Sequence, residues 1–392
     1  MNPIPYGKQH ITQDDIDAVT EALKSDFLTQ GPRIEEFEKK FASYTGAKYA
    51  VAISNGTAAL HLCALALKVK ASQKVIVPPI TFAATANCIR YCGGDVVFAD
   101  IDPETYLLDL NKVRALLTSA PPGTYSGIIP VDFAGAAVNL EEFRHLANEF
   151  GLWLIEDACH APGGYFIDSK MQKQFCGNGQ FADLAIFSFH PVKHIATGEG
   201  GMITTNNEQL YKRLQILRTH GITKDPSLMK ENDGGWYYEM IELGYNYRLT
   251  DLQGAIAVEQ LKKADRFTEA RQANAKGLSE GLKEIKGLEL PVIGSDRSHV
   301  FHQYTVRVTK DFVLSRDDFV NELRENGVGA GVYYPRALHT YPHIAELGFK
   351  IGDFPIAEKV ADEVVSLPVH PAVSVEDVQT IVKVIREIAG VK

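Results

Sequence analysis

The sequence has few cysteines, and their placement argues against a disulfide framework. Five occur in 392 residues, an odd number, and they are scattered along the chain. Small secreted domains that depend on disulfides carry densely spaced, usually paired cysteines. Cys159 and His160 are adjacent, but the rest of a zinc-binding pattern is missing around them. We therefore predict no disulfide and no metal site.

Long basic blocks and long apolar runs are also missing. The formal net charge is −9, which argues against nucleic acid or an anionic membrane surface as the main partner. The longest apolar runs fall well short of the ~20 residues that span a bilayer. The first residues, MNPIPYGKQHITQDD, lack the basic-then-apolar pattern of a signal peptide. We therefore expect no membrane partner and a cytoplasmic location.

Short apolar strands alternate with amphipathic helices through the first two thirds of the chain. This alternation predicts an α/β fold with a parallel, doubly wound sheet. No G-x-G-x-x-G motif follows a strand, so the sheet lacks the dinucleotide fingerprint. A long polar-faced helix at 265–285 predicts the connection to a smaller α+β domain. We place the large domain at 1–263 and the small C-terminal domain at 264–392. Residues 163–182 are expected to form an excursion loop or hairpin, and 222–243 a mobile loop.

A lysine follows a buried strand in the segment DLAIFSFHPVKHIATGEGG, residues 183–201. The apolar run Leu184–Phe187 predicts the strand, which places Lys193 beside the carboxyl edge of the sheet, where α/β proteins bind ligands. Desolvation there lowers the pKa of a lysine and makes the amine nucleophilic. Lys193 is therefore a candidate Schiff-base residue. Most lysines are exposed, and a surface loop is the competing interpretation.

Two other segments add the remaining chemistry of a pyridoxal phosphate (PLP) site. WLIEDACH, residues 153–160, ends an apolar run with a carboxylate at Asp157. VAISNGTAALHL, residues 51–62, predicts a strand, a turn and a helix, so that Gly56 and Thr57 present N–H groups to an anion. The plainer interpretations are a helix-capping aspartate and an ordinary N-cap. An amine, a carboxylate and a phosphate cradle are together what PLP needs.

Seven motifs, in order along nearly the whole chain, resemble those of fold-type I, PLP-dependent aminotransferases of the DegT/DnrJ/EryC1/StrS sugar group. One such motif would be weak evidence, whereas seven in the same order are specific. The motifs are TQGP at 29–32, SNGTAALHL at 54–62, TFAATAN at 81–87, EDACHA at 156–161, SFHPVKHIATGEGG at 188–201, GYNYRLTDLQGAI at 244–256 and SLPVHP at 366–371.

The resemblance implies a role for each matching residue. Lys193 would bind PLP covalently and then move the proton between substrate and cofactor, and Asp157 would keep the pyridine nitrogen protonated. Phe82 matches the aromatic residue that stacks on the ring. His160 matches the residue at the cofactor's hydroxyl side, and Ser188 matches the phosphate-binding serine. A core phenylalanine and a buried structural histidine are the competing interpretations.

The phosphate cradle extends to a second subunit in the family. Gly56 and Thr57 would donate N–H groups to the phosphate, and Asn246 matches a ligand supplied by the neighbouring chain. The resemblance therefore implies a homodimer with shared active sites.

The substrates are less certain than the cofactor. The resemblance implies glutamate as donor and a carbonyl sugar as acceptor, in amino-sugar synthesis for lipopolysaccharide or surface glycans. EDACHA and SFHPVKH resemble the branch that aminates 4-keto nucleotide-linked deoxyhexoses. Residues 332–341 depart from that branch, with an extra Arg336 before His339. Because arginine binds carboxylates bidentately, an 8-oxo-3,8-dideoxy-octulosonate (a Kdo-type sugar) is an equal candidate.

Both residues, Arg336 and His339, are thus candidate substrate contacts. A solvated loop arginine, or a contact to a diphosphate or to the donor carboxylate, is the alternative for Arg336. Two other functions stay open. Some relatives replace the lysine by histidine and act as PLP-dependent sugar dehydratases, but Lys193 is intact here. A non-catalytic PLP-binding regulator is the other, although no DNA-reading motif or basic patch is present.

Overall fold

The computed structural model describes residues 3–231 and 233–391, and its helices lie on both faces of a central sheet. The helices are α1 (Gln13–Lys24), α2 (Pro32–Thr45), α3 (Gly56–Ala66), α4 (Ala83–Tyr91), α5 (Leu110–Ser119), α6 (Leu140–Phe150), α7 (Glu208–Arg218), α8 (Asp251–Leu261), α9 (Ala264–Leu282), α10 (Arg316–Glu325), α11 (Pro342–Ala345), α12 (Pro355–Glu363) and α13 (Val375–Ile388).

The strands belong to one large sheet, a smaller three-stranded sheet and two short hairpins. They are β1 (Tyr49–Ile53), β2 (Lys74–Val77), β3 (Asp95–Phe98), β4 (Tyr125–Ile128), β5 (Trp153–Asp157), β6 (Tyr165–Ile167), β7 (Lys173–Phe175), β8 (Leu184–Ser188), β9 (Gly201–Thr205), β10 (Ile222–Thr223), β11 (Glu239–Met240), β12 (Leu288–Glu289), β13 (Tyr304–Val308) and β14 (Val364–Leu367).

The large sheet has seven strands in the order β1-β9-β8-β5-β4-β2-β3. Strands β2, β3, β4, β5 and β8 run parallel, and β9 runs antiparallel to both of its neighbours, β8 and β1. Helices cover both faces, so strands such as β8 read as continuous apolar runs rather than alternating ones. The predicted α/β class with a mostly parallel sheet is confirmed.

Helix α3 shows how the sequence places the site. Nine of its eleven residues are buried, because the helix packs against α4 and α7 as well as against the sheet. Small and apolar side chains in GTAALHLCALA allow this close approach. Its first turn therefore begins directly at the edge of the sheet, after strand β1.

The last third of the chain forms a three-stranded antiparallel sheet, β12-β13-β14. It shares one hydrophobic cluster with α9, α10 and α13, and Ile4 from the start of the chain joins that cluster. The division after residue 263 stays a prediction. The strand expected from GVGAGVYY at 327–334 does not form; two isolated bridges occur there instead, Val328 with Ile4 and Gly331 with Ser366. Three glycines weaken this segment as a strand, and Tyr333 and Tyr334 instead reach a cavity.

The two predicted excursions both contain hairpins. Strands β6 and β7 pair antiparallel within 163–182, as expected. Strands β10 and β11 pair over two residues each within 222–243. The mobility expected of 222–243 stays a prediction, and Asn232 in this segment lies outside the described residues.

Within the described ranges, no helix combines the length and the apolar character that a membrane crossing requires. The cytoplasmic location stays a prediction.

Helix α1 is attached to the body of the protein by a buried ion pair. Lys263 Nζ, at the start of α9, lies 2.6 Å from Asp15 Oδ2 on α1 and also donates to Thr12 Oγ1 at 2.6 Å. The Asp15 side chain is fully buried and Lys263 is nearly so. Removing one partner of such a pair leaves an uncompensated buried charge.

We therefore predict that Lys263→Met lowers the free energy of unfolding by about 3 kcal/mol, because the Asp15 carboxylate loses its counter-charge. Urea unfolding of the purified protein, followed by circular dichroism, measures the change. Lys262→Met is the matched control: its pair with Glu259 is exposed, and it should change stability by less than about 0.5 kcal/mol. Equal midpoints for the two variants would show that the buried pair does not hold α1.

Candidate active site

A cavity of about 930 Å³ opens at the carboxyl ends of β5 and β8, between the large sheet and the last third of the chain. Residues from eleven parts of the sequence line it, from Tyr6 to His370. The cavity brings together seven of the ten site residues predicted from sequence. These are Gly56, Thr57, Phe82, Asp157, His160, Ser188 and Lys193.

Strand pairing explains why the amine and the carboxylate meet. Asp157 is the last residue of β5 and pairs in parallel register with Ile186 of β8. Strand β8 ends at Ser188, and a turn in which the Lys193 N–H donates to the His190 carbonyl at 2.8 Å returns the chain to the same edge. Both groups therefore project from one edge of the sheet.

Lys193 is half-buried on the wall of the cavity. Its Nζ is 3.5 Å from Nε2 of His302, which comes from the segment before β13. Burial lowers the pKa of Lys193, and the nearby Asp157 partly opposes this. A lower pKa leaves a larger fraction of the amine neutral at a given pH, and the neutral amine is the nucleophile.

Among the described residues, the Asp157 carboxylate accepts from two donors and forms no salt bridge, although the Lys193 amine is near enough to influence its pKa. Its Oδ2 accepts from Thr85 Oγ1 at 2.9 Å, and its Oδ1 accepts from the Cys159 N–H at 3.3 Å. Burial raises the pKa of Asp157 despite these hydrogen bonds. A protonated ring nitrogen beside the carboxylate would supply the missing positive charge, so this residue fits a pyridinium.

The start of α3 forms an anion cradle beside β8. Asn55 caps the helix by accepting from the Ala58 N–H at 2.8 Å, which leaves Gly56 and Thr57 in the first turn, where N–H groups have no intrahelical acceptor. A Cβ on Gly56 would lie 2.9 Å from the Ser188 Cβ, so only glycine lets the helix approach this closely. Two N–H groups and a serine hydroxyl at a helix N-terminus fit the phosphate of PLP.

Phe82 and His160 flank the space between the carboxylate and the cradle. Phe82 precedes α4, is 59% exposed although it lines the cavity, and its ring centroid lies 6.5 Å from that of Tyr334. His160 Nδ1 accepts from the Ala134 N–H at 3.2 Å. This bond fixes Nε2 as the N–H donor, as contact with a ring oxygen requires.

Three predicted residues are not among those that line the cavity. Asn246 is exposed, and its backbone pairs with Thr219. Arg336 is exposed and forms no ion pair with any residue in the described ranges. His339 is completely buried, with Nε2 2.9 Å from the Glu358 carboxylate. The prediction that His339 contacts substrate needs correction, because the side chain is fully buried against Glu358 and is not among the residues that line the cavity.

Sequence reasoning missed the far wall of the cavity. Arg271 had a usable signal, because it lies on the apolar stripe of α9 with Phe267, Leu278 and Leu282. A charged residue in such a stripe needs a partner. The other residues that were not predicted are Tyr6, His302, Gln303, Tyr333 and Tyr334; together with Arg271 they form what we call the far wall.

A second acidic cluster lies behind the site. Asp132, Glu156 and Cys176 are all buried, with potential ligand atoms within 4.8 Å of one another. Burial raises the pKa of each of these groups, which favours shared protons over bare charges. The absence of a metal stays a prediction.

Comparison with known proteins agrees with this geometry. Residues 9–386 match the DegT/DnrJ/EryC1/StrS aminotransferase family. The chain is 37% identical over 331 residues to the UDP-4-amino-4,6-dideoxy-N-acetyl-beta-L-altrosamine transaminase of Campylobacter jejuni, covering 84% of this chain and 83% of that one. It is 35% identical to the spore coat polysaccharide biosynthesis protein SpsC of Bacillus subtilis, covering 98% and 97%. The PLP-form structure of Streptococcus pneumoniae Spr1654 superposes with a TM-score of 0.87 at 26% identity, covering 99% of each chain.

The cradle gives a direct prediction. Gly56→Ala should weaken PLP binding at least about tenfold, because the added Cβ displaces Ser188 and disturbs charge-assisted hydrogen bonds worth roughly 1.5–3 kcal/mol each. Titration of the apoprotein with PLP, followed by absorbance, measures this. Gly235→Ala is the control, since a Cβ there meets nothing within 4 Å. An unchanged dissociation constant for Gly56→Ala would contradict the cradle.

Proposed function

The chain belongs to the DegT/DnrJ/EryC1/StrS aminotransferase family of PLP-dependent sugar aminotransferases, and we propose that it transfers the amino group of glutamate to a 4-keto nucleotide-linked deoxyhexose. The product would be an amino sugar for lipopolysaccharide or another surface glycan. The observation that supports this most is a single cavity that joins the amine of Lys193, the carboxylate of Asp157 and the anion cradle at Gly56.

Each residue of the cavity would have a separate role in transamination. When bound, PLP supplies a carbonyl carbon and an electron-accepting ring. Lys193 would hold that carbon through its amine and, once displaced by the donor, would carry the proton between substrate and cofactor. Asp157 would keep the ring nitrogen protonated. Phe82 would orient the ring, and His160 would donate a hydrogen bond from Nε2 to the ring oxygen.

The proposal also specifies which sugar accepts the amino group. The Campylobacter jejuni relative is a transaminase whose name places a UDP-linked amino sugar in its reaction, and it shares 37% identity with this chain. The Kdo-type acceptor was considered because Arg336 could bind its carboxylate. However, Arg336 is exposed and is not among the residues that line the cavity. The nucleotide-linked sugar is therefore the better-supported acceptor. An intact Lys193 within an aminotransferase family favours transamination over the dehydratase and regulator functions.

We also propose that Asn246 binds the cofactor phosphate in the active site of a neighbouring subunit. In its own chain it is exposed and is not among the residues that line the cavity, although the next residue, Tyr247, does line it. A residue that binds phosphate in a partner has to project outward in this way. We therefore propose a homodimer with two shared sites.

The first test is a pair of half-reactions. Glutamate should convert the PLP-loaded enzyme to its aminated-cofactor form, which is seen as loss of absorbance of the lysine-bound cofactor. After removal of the keto acid, a 4-keto nucleotide sugar should restore that absorbance. Lys193→Met should fail in the first step, whereas Lys170→Met, an exposed loop lysine, should react normally. Restoration only by an 8-oxo-octulosonate would overturn the acceptor assignment.

The second test asks whether Asn246 acts in the active site of its own subunit or in that of its partner. Subunits with Lys193→Met and subunits with Asn246→Ala should each be nearly inactive alone. Mixed dimers formed by joint refolding should regain one intact site, because one chain supplies Lys193 and the other supplies Asn246. Activity of the mixture is then well above the sum of its parts. If Asn246 served its own chain, every site in the mixture would be defective and no activity would return.

A further inference from the structure

The far wall of the cavity contains a buried cation without a counter-charge. Arg271, on α9, is 3% exposed and lines the cavity. In the described part of the chain no aspartate or glutamate pairs with its guanidinium. A buried charge in a protein is normally paired, because removing it from water costs several kcal/mol.

The hydrogen bonds of Arg271 leave part of the guanidinium unused. Nη1 donates to the carbonyl oxygens of Phe301 at 3.1 Å and His302 at 3.3 Å. Nε is fully buried and has no partner in the described residues. Nη2 also makes no hydrogen bond to any of them, but it is not fully buried, so a ligand in the cavity can reach it. Two carbonyls position the side chain, but they do not neutralise it.

No neighbouring group supplies the missing negative charge. Tyr6 is the nearby acidic group, and burial raises the pKa of its phenol, so the phenol stays neutral. Burial lowers the pKa of Arg271 to about 10, which still leaves it charged at neutral pH. The other titratable groups facing it are Lys193, His194, His302 and His370, none of which carries a negative charge.

His302 connects the guanidinium to the reacting amine. Its ring nitrogen lies 3.5 Å from Lys193 Nζ, and its carbonyl oxygen accepts from Arg271. The Lys193 amine therefore contacts the ring of His302, and the Arg271 guanidinium contacts its backbone carbonyl. A small molecule that reacts at Lys193 can thus place an anionic group against Arg271 without leaving the cavity.

We propose that Arg271 binds the carboxylate of a substrate. Guanidinium groups donate charge-assisted hydrogen bonds to carboxylates, and Nη2 is the nitrogen of Arg271 that is not fully buried and has no partner in the described residues. The carboxylate comes either from the amino donor or from an acidic sugar acceptor. The inference rests on the proposed transamination for the identity of these substrates, and it gives carboxylate recognition to Arg271 rather than to Arg336.

The test compares Arg271→Met with wild type in each half-reaction. L-Glutamate, L-glutamine and the α-amide of glutamate are used as donors, so that each carboxylate is removed in turn. Wild type should prefer glutamate over one of the two amides, and Arg271→Met should lose that preference, with about a hundredfold slower reaction with glutamate alone. A loss confined to the return step with an acidic sugar would assign the carboxylate to the acceptor.

A second measurement is independent of turnover. Succinate, a dicarboxylate without an amine, is titrated into the PLP-loaded enzyme by calorimetry, and Arg271→Met should bind it at least tenfold more weakly. Arg271→Lys should recover part of this binding because it retains the charge. Arg266→Met, an exposed arginine on the same helix, is the control.

The outcomes separate this inference from the proposed function. Unchanged donor preference, unchanged acceptor step and unchanged succinate affinity in a folded Arg271→Met would overturn the carboxylate site. A wild-type enzyme that glutamate does not convert would contradict the proposed donor, while the succinate titration would still test Arg271. A purely structural role for Arg271 predicts equal losses with all three donors.

Discussion

The parallel pairing of β5 with β8 is the contact on which the site depends. It sets Asp157 opposite Ile186, so the carboxylate and the chain that continues to Lys193 leave the sheet at the same edge. Strand β9, antiparallel to β8, then returns Gly201 beside Ser188 and against the start of α3. A one-residue slip in β8 would turn Ser188 to the opposite face of the sheet. The positions of Asp157 and Ser188 are thus set by strand register, and that of Lys193 by the turn that follows β8.

Sequence reasoning succeeded where the chemistry is local. Gly56 and Thr57 follow a strand and begin a helix, and Lys193 follows a buried strand by five residues, so each motif carries its own structural context. The strand-helix alternation then requires their strand ends to share an edge of one sheet. For this reason seven of the ten predicted residues line one cavity. The family resemblance added the roles of those residues, which spacing alone does not provide.

Sequence reasoning failed where two distant segments meet. Arg336 and His339 were chosen for their residue types, but exposure of the first and a buried hydrogen bond of the second depend on how the loop after residue 331 packs. Tyr334 and His302 reach the cavity from segments with no local pattern that marks a site. Arg271 is the instructive case, since an arginine within the apolar stripe of α9 is visible in the sequence. The anion that would pair with it is not visible in the sequence, because none of the described residues supplies one.

Three groups in the cavity lack a partner of opposite character among the described residues. In that part of the chain, Asp157 is a buried carboxylate without a salt bridge, the start of α3 offers N–H groups without an acceptor, and Arg271 is a buried cation without an anion. Each imbalance raises the free energy of the ligand-free protein, and each is removed by a group of opposite character. A pyridinium suits the first, a phosphate the second and a carboxylate the third. Because the cofactor accounts for only two of the three, the remaining charge at Arg271 is the part of the site that the substrate has to complete.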